Sequence, residues 1–188
     1  MGRWQPDARG RLMLAALELY GERGFEQTTA LEVAQRAGVT ERTFFRYFAD
    51  KREVLFEGSK GLQDAVVEAI AQAPDPVAPI DAVGSAMERA AAHLEDNRDY
   101  SRQRAAVIAA NSSLHERELL KLSTLAGAAA DALRRRGVAA LAASLAAEAG
   151  VTVFKLGFDT WIGDEATGGL AQCIRAALDE LKELTAGA

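Results

Sequence analysis

The sequence of 188 residues predicts an all-α fold of about nine helices. Alanine and leucine dominate it, β-branched residues are few and scattered, and the alternation of apolar and polar residues that is typical of strands is nearly absent. Apolar residues recur instead at steps of three and four, as Leu12, Ala15, Ala16 and Leu19 do, which places them on one face of a helix.

Glycine, threonine and aspartate predict where the first four helices begin and end. Gly24 would end the first helix, because glycine adopts the positive φ of a helix C-terminus at little cost. Thr28 or Thr29, then Thr40 and Asp50, would cap the next three, because their side-chain oxygens accept hydrogen bonds from free backbone amides. These signals predict helices over 9–23, 30–37, 41–48 and 51–71.

The segment 73–79 holds three of the four prolines, which predicts a loop. The helical pattern resumes after it, and Gly137 separates two long helices. No stretch of about 18 uninterrupted apolar residues occurs, so we expect no membrane span. The later helices are predicted over 80–97, 99–111, 113–136, 138–162 and 167–185.

The net charge of −5 argues mildly against nucleic acid as a partner, because DNA-binding proteins usually carry a basic surface. An acidic protein can still carry a local one. Cys173 has no partner for a disulfide or a metal site, and the N-terminus lacks the apolar run of a secretory signal. We therefore expect a cytoplasmic protein without a metal or cofactor. The residues that would supply a local basic surface are Arg3, Arg9, Arg11, Arg42, Arg46, Lys51 and Arg52.

Residues 28–51 carry the pattern of a helix-turn-helix. A tight turn, Ala37-Gly38-Val39-Thr40, joins two short helices: Gly38 can take a positive φ, Val39 can fill the angle between the helices, and Thr40 can start the second. In a DNA-binding helix-turn-helix the second helix enters the major groove. The pattern alone is not specific to DNA binding, because many helical proteins join two short helices through a glycine turn.

The N-terminal third, over about residues 9–58, resembles the DNA-binding domain of TetR-family regulators. The matching pieces are Gly21-Glu22-Arg23-Gly24-Phe25, Thr28-Thr29 before Val33-Ala34, Ala37-Gly38-Val39-Thr40, and Thr43-Phe44-Phe45-Arg46-Tyr47-Phe48 followed by Lys51 and Leu55. The resemblance implies a DNA-binding domain over 1–58 and a helical ligand-binding and dimerisation domain over 59–188. It also implies a homodimer that binds double-stranded operator DNA.

The candidate DNA contacts follow from side-chain chemistry and from the resemblance. Arg42, on the exposed front of the second helix, can donate to guanine O6 and N7 in a bidentate pair, or it is simply a solvated arginine. Arg46 lies one turn later on the same face, where it could reach a base or a phosphate. Thr43 can donate to a phosphate or touch a thymine methyl group. The family makes phosphate contacts at the positions that match Thr29, Tyr47 and Lys51.

Three of the candidates allow a second interpretation or depart from the family. Thr29 is also explained as a plain helix cap, and both roles can hold at once. Phe45 stands where many relatives have tyrosine, so it can offer DNA only an apolar contact. Glu41 can accept from cytosine N4 or simply favour the helix N-terminus electrostatically. The complete set of predicted DNA contacts is Thr29, Thr40, Glu41, Arg42, Thr43, Phe45, Arg46, Tyr47 and Lys51.

The middle helices are expected to enclose a small-molecule effector, since an apolar cavity with a few polar anchors is the usual small-molecule site. Ordinary core packing is the alternative for each candidate. The stretch from Leu114 through Arg134-Arg135-Arg136 to Trp161 faintly resembles regulators that bind acyl-CoA-like ligands, although a helix C-terminus explains the three arginines equally well. The candidate effectors are therefore apolar or acyl-CoA-like molecules. The predicted pocket residues are Tyr100, Arg104, Ile108, Asn111, His115, Phe154, Phe158 and Trp161.

The helices over 142–161 and 170–184 are rich in alanine, leucine and valine. In the family this pair forms a four-helix bundle with its two-fold mate; alternatively, it completes a monomer core. We expect a ligand-responsive repressor that binds a palindromic operator as a dimer, is released by a small-molecule effector and has no membrane partner. The alternatives are a helical ligand-binding or interaction protein without operator binding, and an enzyme, for which the two histidines and Cys173 offer no evident catalytic arrangement.

Overall fold

The structure is a computed structural model that describes residues 7–163 and 168–186. Within these residues it contains nine α-helices, one 3-10 helix (η1) and no strand, which confirms the predicted all-α fold. Arg3 of the predicted basic surface lies outside the described residues. The helices are α1 (Ala8–Arg23), α2 (Ala30–Arg36), α3 (Glu41–Tyr47), η1 (Glu53–Phe56), α4 (Ser59–Ala71), α5 (Pro79–Glu95), α6 (Arg98–Ala109), α7 (Ser112–Arg135), α8 (Ala140–Ile162) and α9 (Leu170–Ala186).

Local caps set the boundaries of the first three helices. Gly24 ends α1 at φ +86°, and Gly38 lies in the turn after α2 at φ +69°, both in the left-handed region that favours glycine. Thr29 forms a capping box at the start of α2, and the Thr40 hydroxyl accepts from the amide of Thr43 at the start of α3. The predicted ends of these helices therefore lie within one residue of the observed ends.

The predicted continuous helix over 51–71 is wrong. The Asp50 carboxylate accepts from the amide of Arg52 (2.7 Å), but no helix begins at Lys51: Arg52 is the cap residue of the short η1, and α4 begins only at Ser59. The consecutive apolar side chains of residues 54–56 are all buried. Successive side chains of an α-helix point about 100° apart, so a straight helix would expose part of this run. The run is instead buried within the short η1, which ends before α4 begins.

Contacts divide the described residues into two compact units, 7–57 with 103–118 and 58–102 with 119–186. The sequence predicted one domain boundary, between 58 and 59. The contacts place a boundary between 57 and 58 and add two more, after 102 and after 118. The end of α6 and the start of α7 thus belong to the first unit, together with the helix-turn-helix.

Two arginines tie the end of α6 and the start of α7 to η1 within the first unit. Arg104 donates from Nε to the carbonyl oxygen of Leu55 (2.6 Å), and its guanidinium lies 5.1 Å from the centre of the Phe56 ring. Arg117 donates to the carboxylate of Glu53 (2.6 Å). These contacts join residues far apart in sequence, which is why local patterns do not reveal them.

The second unit is built on close approach of α5, α8 and α9, which small residues allow. A Cβ atom at Gly157 of α8 would lie 2.7 Å from the Cα atom of Ile174 on α9. Gly84 of α5 likewise faces the side chain of Leu178 on α9. The glycines therefore let these helices approach to a distance that any larger residue would prevent.

By length and composition alone α8 would qualify as a membrane span, with a mean hydropathy of 1.4 in its most apolar window. In this fold 44% of that window is buried inside the protein. Its alanines, valines and glycines form the buried face, among them Ala143, Gly150 and Val153. Packing in the core of the second unit therefore accounts for the apolar residues on the buried face of α8.

We expect Gly157→Ala to lower the free energy of unfolding by about 1–3 kcal/mol, because the added methyl group would meet the backbone of α9. The matched control is Gly127→Ala in α7, where a Cβ atom would have nothing within 4 Å. Alanine favours a helix over glycine by about 1 kcal/mol, so this variant should keep or gain stability. Urea unfolding followed by circular dichroism at one protein concentration compares them, and equal stabilities would contradict the close packing of α8 on α9.

Candidate nucleic-acid interface

Helix α3 has one buried face and one exposed face. Phe44 on α3 and Phe48 at its end are 0% and 3% exposed, and they anchor the helix in the core of the first unit. The turn before it is closed by the amide of Val39, which donates to the carbonyl oxygen of Ala34 (2.9 Å). The side chains on the exposed face are Glu41, Arg42, Phe45 and Arg46. The arrangement is that of a helix-turn-helix whose second helix is free to contact a partner.

Four side chains of α3, those of Arg42, Thr43, Phe45 and Arg46, line a depression of about 400 Å³. Phe45 is 52% exposed, and its ring meets the ring of Phe44 edge to face at 5.3 Å. Guanidinium donors beside an apolar ring complement the acceptors of guanine and the methyl group of thymine in the major groove. This face can therefore make both polar and apolar contacts with base edges.

The predicted threonine contacts are engaged in helix caps. The Thr29 hydroxyl and amide both donate to one carboxylate oxygen of Glu32, at 2.8 Å each, and the amide of Glu32 donates back to the hydroxyl. The hydrogen bonds from the Thr29 amide and hydroxyl lower the pKa of the Glu32 carboxyl. Thr40 and Thr43 share a hydroxyl–hydroxyl hydrogen bond of 3.0 Å. A phosphate at Thr29 would have to share this site with a carboxylate.

The Tyr47 ring lies near two arginines that come from different helices. Arg46 donates from Nη2 to the Tyr47 hydroxyl (3.2 Å), and its guanidinium lies 4.9 Å from the ring centre. Arg9, on α1, lies 5.4 Å from the same ring and forms an ion pair with Glu57 (2.5 Å). Sequence reasoning counted Arg9 only as part of a basic surface, since no local spacing relates α1 to α3.

Lys51 makes internal contacts that the sequence did not predict. Its ammonium donates to the carbonyl oxygens of Phe25 (2.9 Å) and Thr28 (3.0 Å), and it lies 4.2 Å from the centre of the Phe25 ring. The Tyr20 hydroxyl donates to the carbonyl oxygen of Lys51 (2.7 Å), and burial raises the pKa of Tyr20. The ammonium predicted to contact phosphate thus holds the segment before α2 in place.

The predicted pocket residues are divided between the two units. Four of them belong to the first unit, where Arg104 bonds to Leu55 and to Glu118 (3.2 Å), and Asn111 caps α7 by accepting from the amide of Leu114 (3.1 Å). The polar groups of Arg104 and Asn111 are therefore occupied by structural hydrogen bonds. The other two members of this group are Ile108, which is buried, and His115, which is exposed.

The remaining four pocket candidates belong to the second unit. Phe158 stacks on Phe154 at 6.3 Å and packs against Trp161 at 5.8 Å, so that three aromatic rings form a row along α8. Phe154 and Trp161 are buried, and Tyr100 of α6 is half-buried. A separate depression of about 210 Å³ on α4 and α5 contains none of these residues; it is lined by Ala65, Glu68, Ala69, Gln72, Arg89 and Ala90.

Two protein-family models match the chain. The model described as "Bacterial regulatory proteins, tetR family" matches residues 12–57, and the model described as "MftR C-terminal domain" matches residues 77–186. Together they account for the helix-turn-helix and for most of the remaining helices.

Two curated relatives agree with these matches. The chain is 33% identical over 88 residues to the HTH-type transcriptional regulator TcmR of Streptomyces glaucescens, over 47% of this chain and 39% of the relative. It is 33% identical over 64 residues to HbdR of Aromatoleum sp. (strain CIB), over 34% and 28%. The matches thus span less than two-fifths of either relative.

The chain also resembles the structure of Thermus thermophilus FadR, a TetR-family transcriptional repressor, in complex with lauroyl-CoA. The sequence identity is 26%, the TM-score is 0.55, and the match covers 94% of both chains.

Proposed function

This chain belongs to the TetR family of bacterial regulatory proteins, and we propose that it is a ligand-responsive transcriptional repressor that binds a palindromic operator as a homodimer. The observation that carries the proposal is the exposed face of α3, where Arg42, Phe45 and Arg46 lie together on the second helix of a helix-turn-helix. The similarity to T. thermophilus FadR along 94% of both chains supports a repressor.

The proposed DNA interface divides base contacts from phosphate contacts. Arg42 reads guanine, and Phe45 touches a thymine methyl group, because these side chains are exposed and face one depression. Thr29, Thr43 and Tyr47 contact phosphate through their hydroxyl groups, which position the helix without reading sequence. Thr40 and Glu41 stabilise the N-terminus of α3. Lys51 supports the interface from within and adds long-range attraction.

The proposed dimer uses α8 and α9. Leu141, Leu145 and Leu156 on α8 are 73%, 63% and 52% exposed, and Leu184 on α9 is 74% exposed. The three leucines of α8 lie within about 60° of one another around the helix axis. Exposed apolar side chains grouped on one face favour burial against a partner, and a two-fold interface uses the same face twice. The helix-turn-helix of each protomer then meets one of two half-sites about 34 Å apart.

The proposed effector is an apolar or acyl-CoA-like molecule that binds the second unit. The lauroyl-CoA in T. thermophilus FadR supports this class, as do the aromatic side chains of Phe154, Phe158 and Trp161 on α8. Release requires the effector to bind the DNA-free conformation more tightly, with a coupling of about 1–3 kcal/mol. We propose that the effector shifts α4, which directly follows the first unit in the chain, and thereby moves the two DNA-binding domains of the dimer.

The family consists of DNA-binding regulators, and for this chain we propose a cytoplasmic location and no catalytic activity. The alternative is a helical interaction protein that does not bind an operator. Measuring operator binding by fluorescence anisotropy decides between the two.

Changing both Arg42 and Arg46 to alanine should lower operator affinity by roughly 2 kcal/mol or more, since a good base contact by Arg42 contributes about 1–3 kcal/mol and Arg46 adds attraction to phosphate. Fluorescence anisotropy on a duplex from upstream of the gene measures it, with circular dichroism to confirm folding. The double variant Arg134→Ala and Arg135→Ala removes the same charge from an exposed stretch at the end of α7 and should bind normally. Equal losses of operator affinity in both double variants, or no loss in either, would show that α3 does not recognise the operator sequence.

Leu145→Glu should convert the dimer to a monomer, because it places a charge in the proposed α8–α9 interface. Leu120→Glu on α7, where the leucine is 60% exposed, is the matched control and should stay dimeric. Light scattering after size-exclusion chromatography gives the mass of each. A dimeric Leu145→Glu protein would show that these helices do not form the interface.

Lauroyl-CoA should weaken operator binding by roughly 5- to 150-fold, in line with the usual size of allosteric coupling. Coenzyme A alone and lauric acid alone are the controls, since they carry the polar and the apolar half of the molecule separately. Titration of the preformed operator complex follows the release. An operator affinity that lauroyl-CoA leaves unchanged would exclude this effector class.

A further inference from the structure

We propose that Arg9, Arg46 and Tyr47 form a phosphate-binding cluster, and that Glu57 competes with DNA for Arg9. The inference rests on the proposed operator binding and adds two things to it: a DNA contact supplied by α1, and an internal carboxylate that limits affinity. All four residues belong to the first unit.

The cluster gathers two cations at one aromatic ring. The guanidinium groups of Arg9 and Arg46 lie 5.4 and 4.9 Å from the centre of the Tyr47 ring, within the roughly 6 Å range of cation–π attraction. Arg9 comes from α1 and Arg46 from α3, so the ring is the point where the two helices bring their charges together. Like charges repel, and an arrangement of this kind is stabilised by a shared anion.

The hydrogen-bond donors of the cluster are only partly used. Among the described residues, Arg46 donates one hydrogen bond, to the Tyr47 hydroxyl (3.2 Å), whereas a guanidinium carries five N–H groups. The hydroxyl accepts this bond, so its own hydrogen remains available to donate. Both arginine side chains are exposed, that of Arg9 by 47%. A phosphate can accept from two guanidinium groups and a hydroxyl at once, which the edge of a single base cannot.

Glu57 is the carboxylate that takes the place of a phosphate when DNA is absent. It pairs with Arg9 at 2.5 Å, and its side chain is 26% exposed. One carboxylate against two guanidinium groups leaves the cluster with a net positive charge. A phosphate approaching Arg9 would meet the negative charge of Glu57 and would have to displace it or bind beside it. Glu57 therefore lowers the affinity for DNA of any sequence.

The test measures binding across a salt series to two duplexes of equal length: an operator selected by the wild-type protein from random DNA, and an unrelated sequence. Arg9→Gln should weaken binding to both duplexes by the same factor, because phosphate contacts carry no sequence information. It should also reduce the slope of log affinity against log salt by about 0.9 for each protomer. Arg9→Lys, which keeps the charge without the planar group, should recover most of the slope.

Glu57→Gln should strengthen binding to both duplexes, and this gain should vanish when Arg9→Gln is also present. Its matched control is Glu22→Gln, which removes the same charge from a carboxylate that pairs with Arg36 (3.2 Å), away from the cluster. Thermal unfolding of every variant checks that Arg9, which lies on the surface, is not needed for folding.

Wild-type affinity and salt slope in Arg9→Gln would overturn the cluster. Equal gains from Glu57→Gln and Glu22→Gln would overturn the competition and leave only an effect of net charge. If the wild-type protein selects no operator, the proposed function fails, but the unrelated duplex at low salt still decides whether Arg9 binds phosphate.

Discussion

A single residue, Lys51, connects three segments of the first unit around the helix-turn-helix. Lys51 donates to the carbonyl oxygens of Phe25 and Thr28, while its own carbonyl oxygen accepts from Tyr20. The end of α1, the segment before α2 and the segment before η1 therefore meet at one residue. Hydrophobic burial holds the phenylalanines of α3 in the core but has no direction of its own. Directional hydrogen bonds of this kind fix the segments that flank the helix-turn-helix.

The second unit depends on a different constraint, the satisfaction of helix ends around a core of small residues. Arg98 and Arg102 donate to the carbonyl oxygens of Gly163 (2.6 Å) and Ile162 (2.7 Å) at the end of α8. Arg136 does the same for the end of α4, donating to the carbonyl oxygen of Ala73 (2.7 Å) among others. These guanidinium groups supply donors where the last carbonyl groups of a helix have no partner within it. One arginine of the basic triplet is thereby explained without any ligand.

Local chemistry made the first three helices and the exposed face of α3 predictable. Caps and glycine turns act over three or four residues, so Thr29, Gly38 and Thr40 reveal their roles in the sequence itself. The break before α4 and the contacts of Arg104 could not be predicted, because they arise from packing between segments far apart in the chain. The position of Arg9 beside Tyr47 belongs to the same class. A single sequence taken by itself carries no record of such pairs.

The first unit is not continuous in the chain, since it is completed by residues 103–118. During synthesis the helix-turn-helix emerges from the ribosome well before the helices that Arg104 and Arg117 bring to η1. Its polar partners and its full core become available only after residues 103–118 have been made. The helix-turn-helix is therefore translated well before the residues that complete its unit, and it cannot finish folding without them. A chimera of two relatives joined at residue 58 would therefore separate each helix-turn-helix from residues 103–118, which complete its unit.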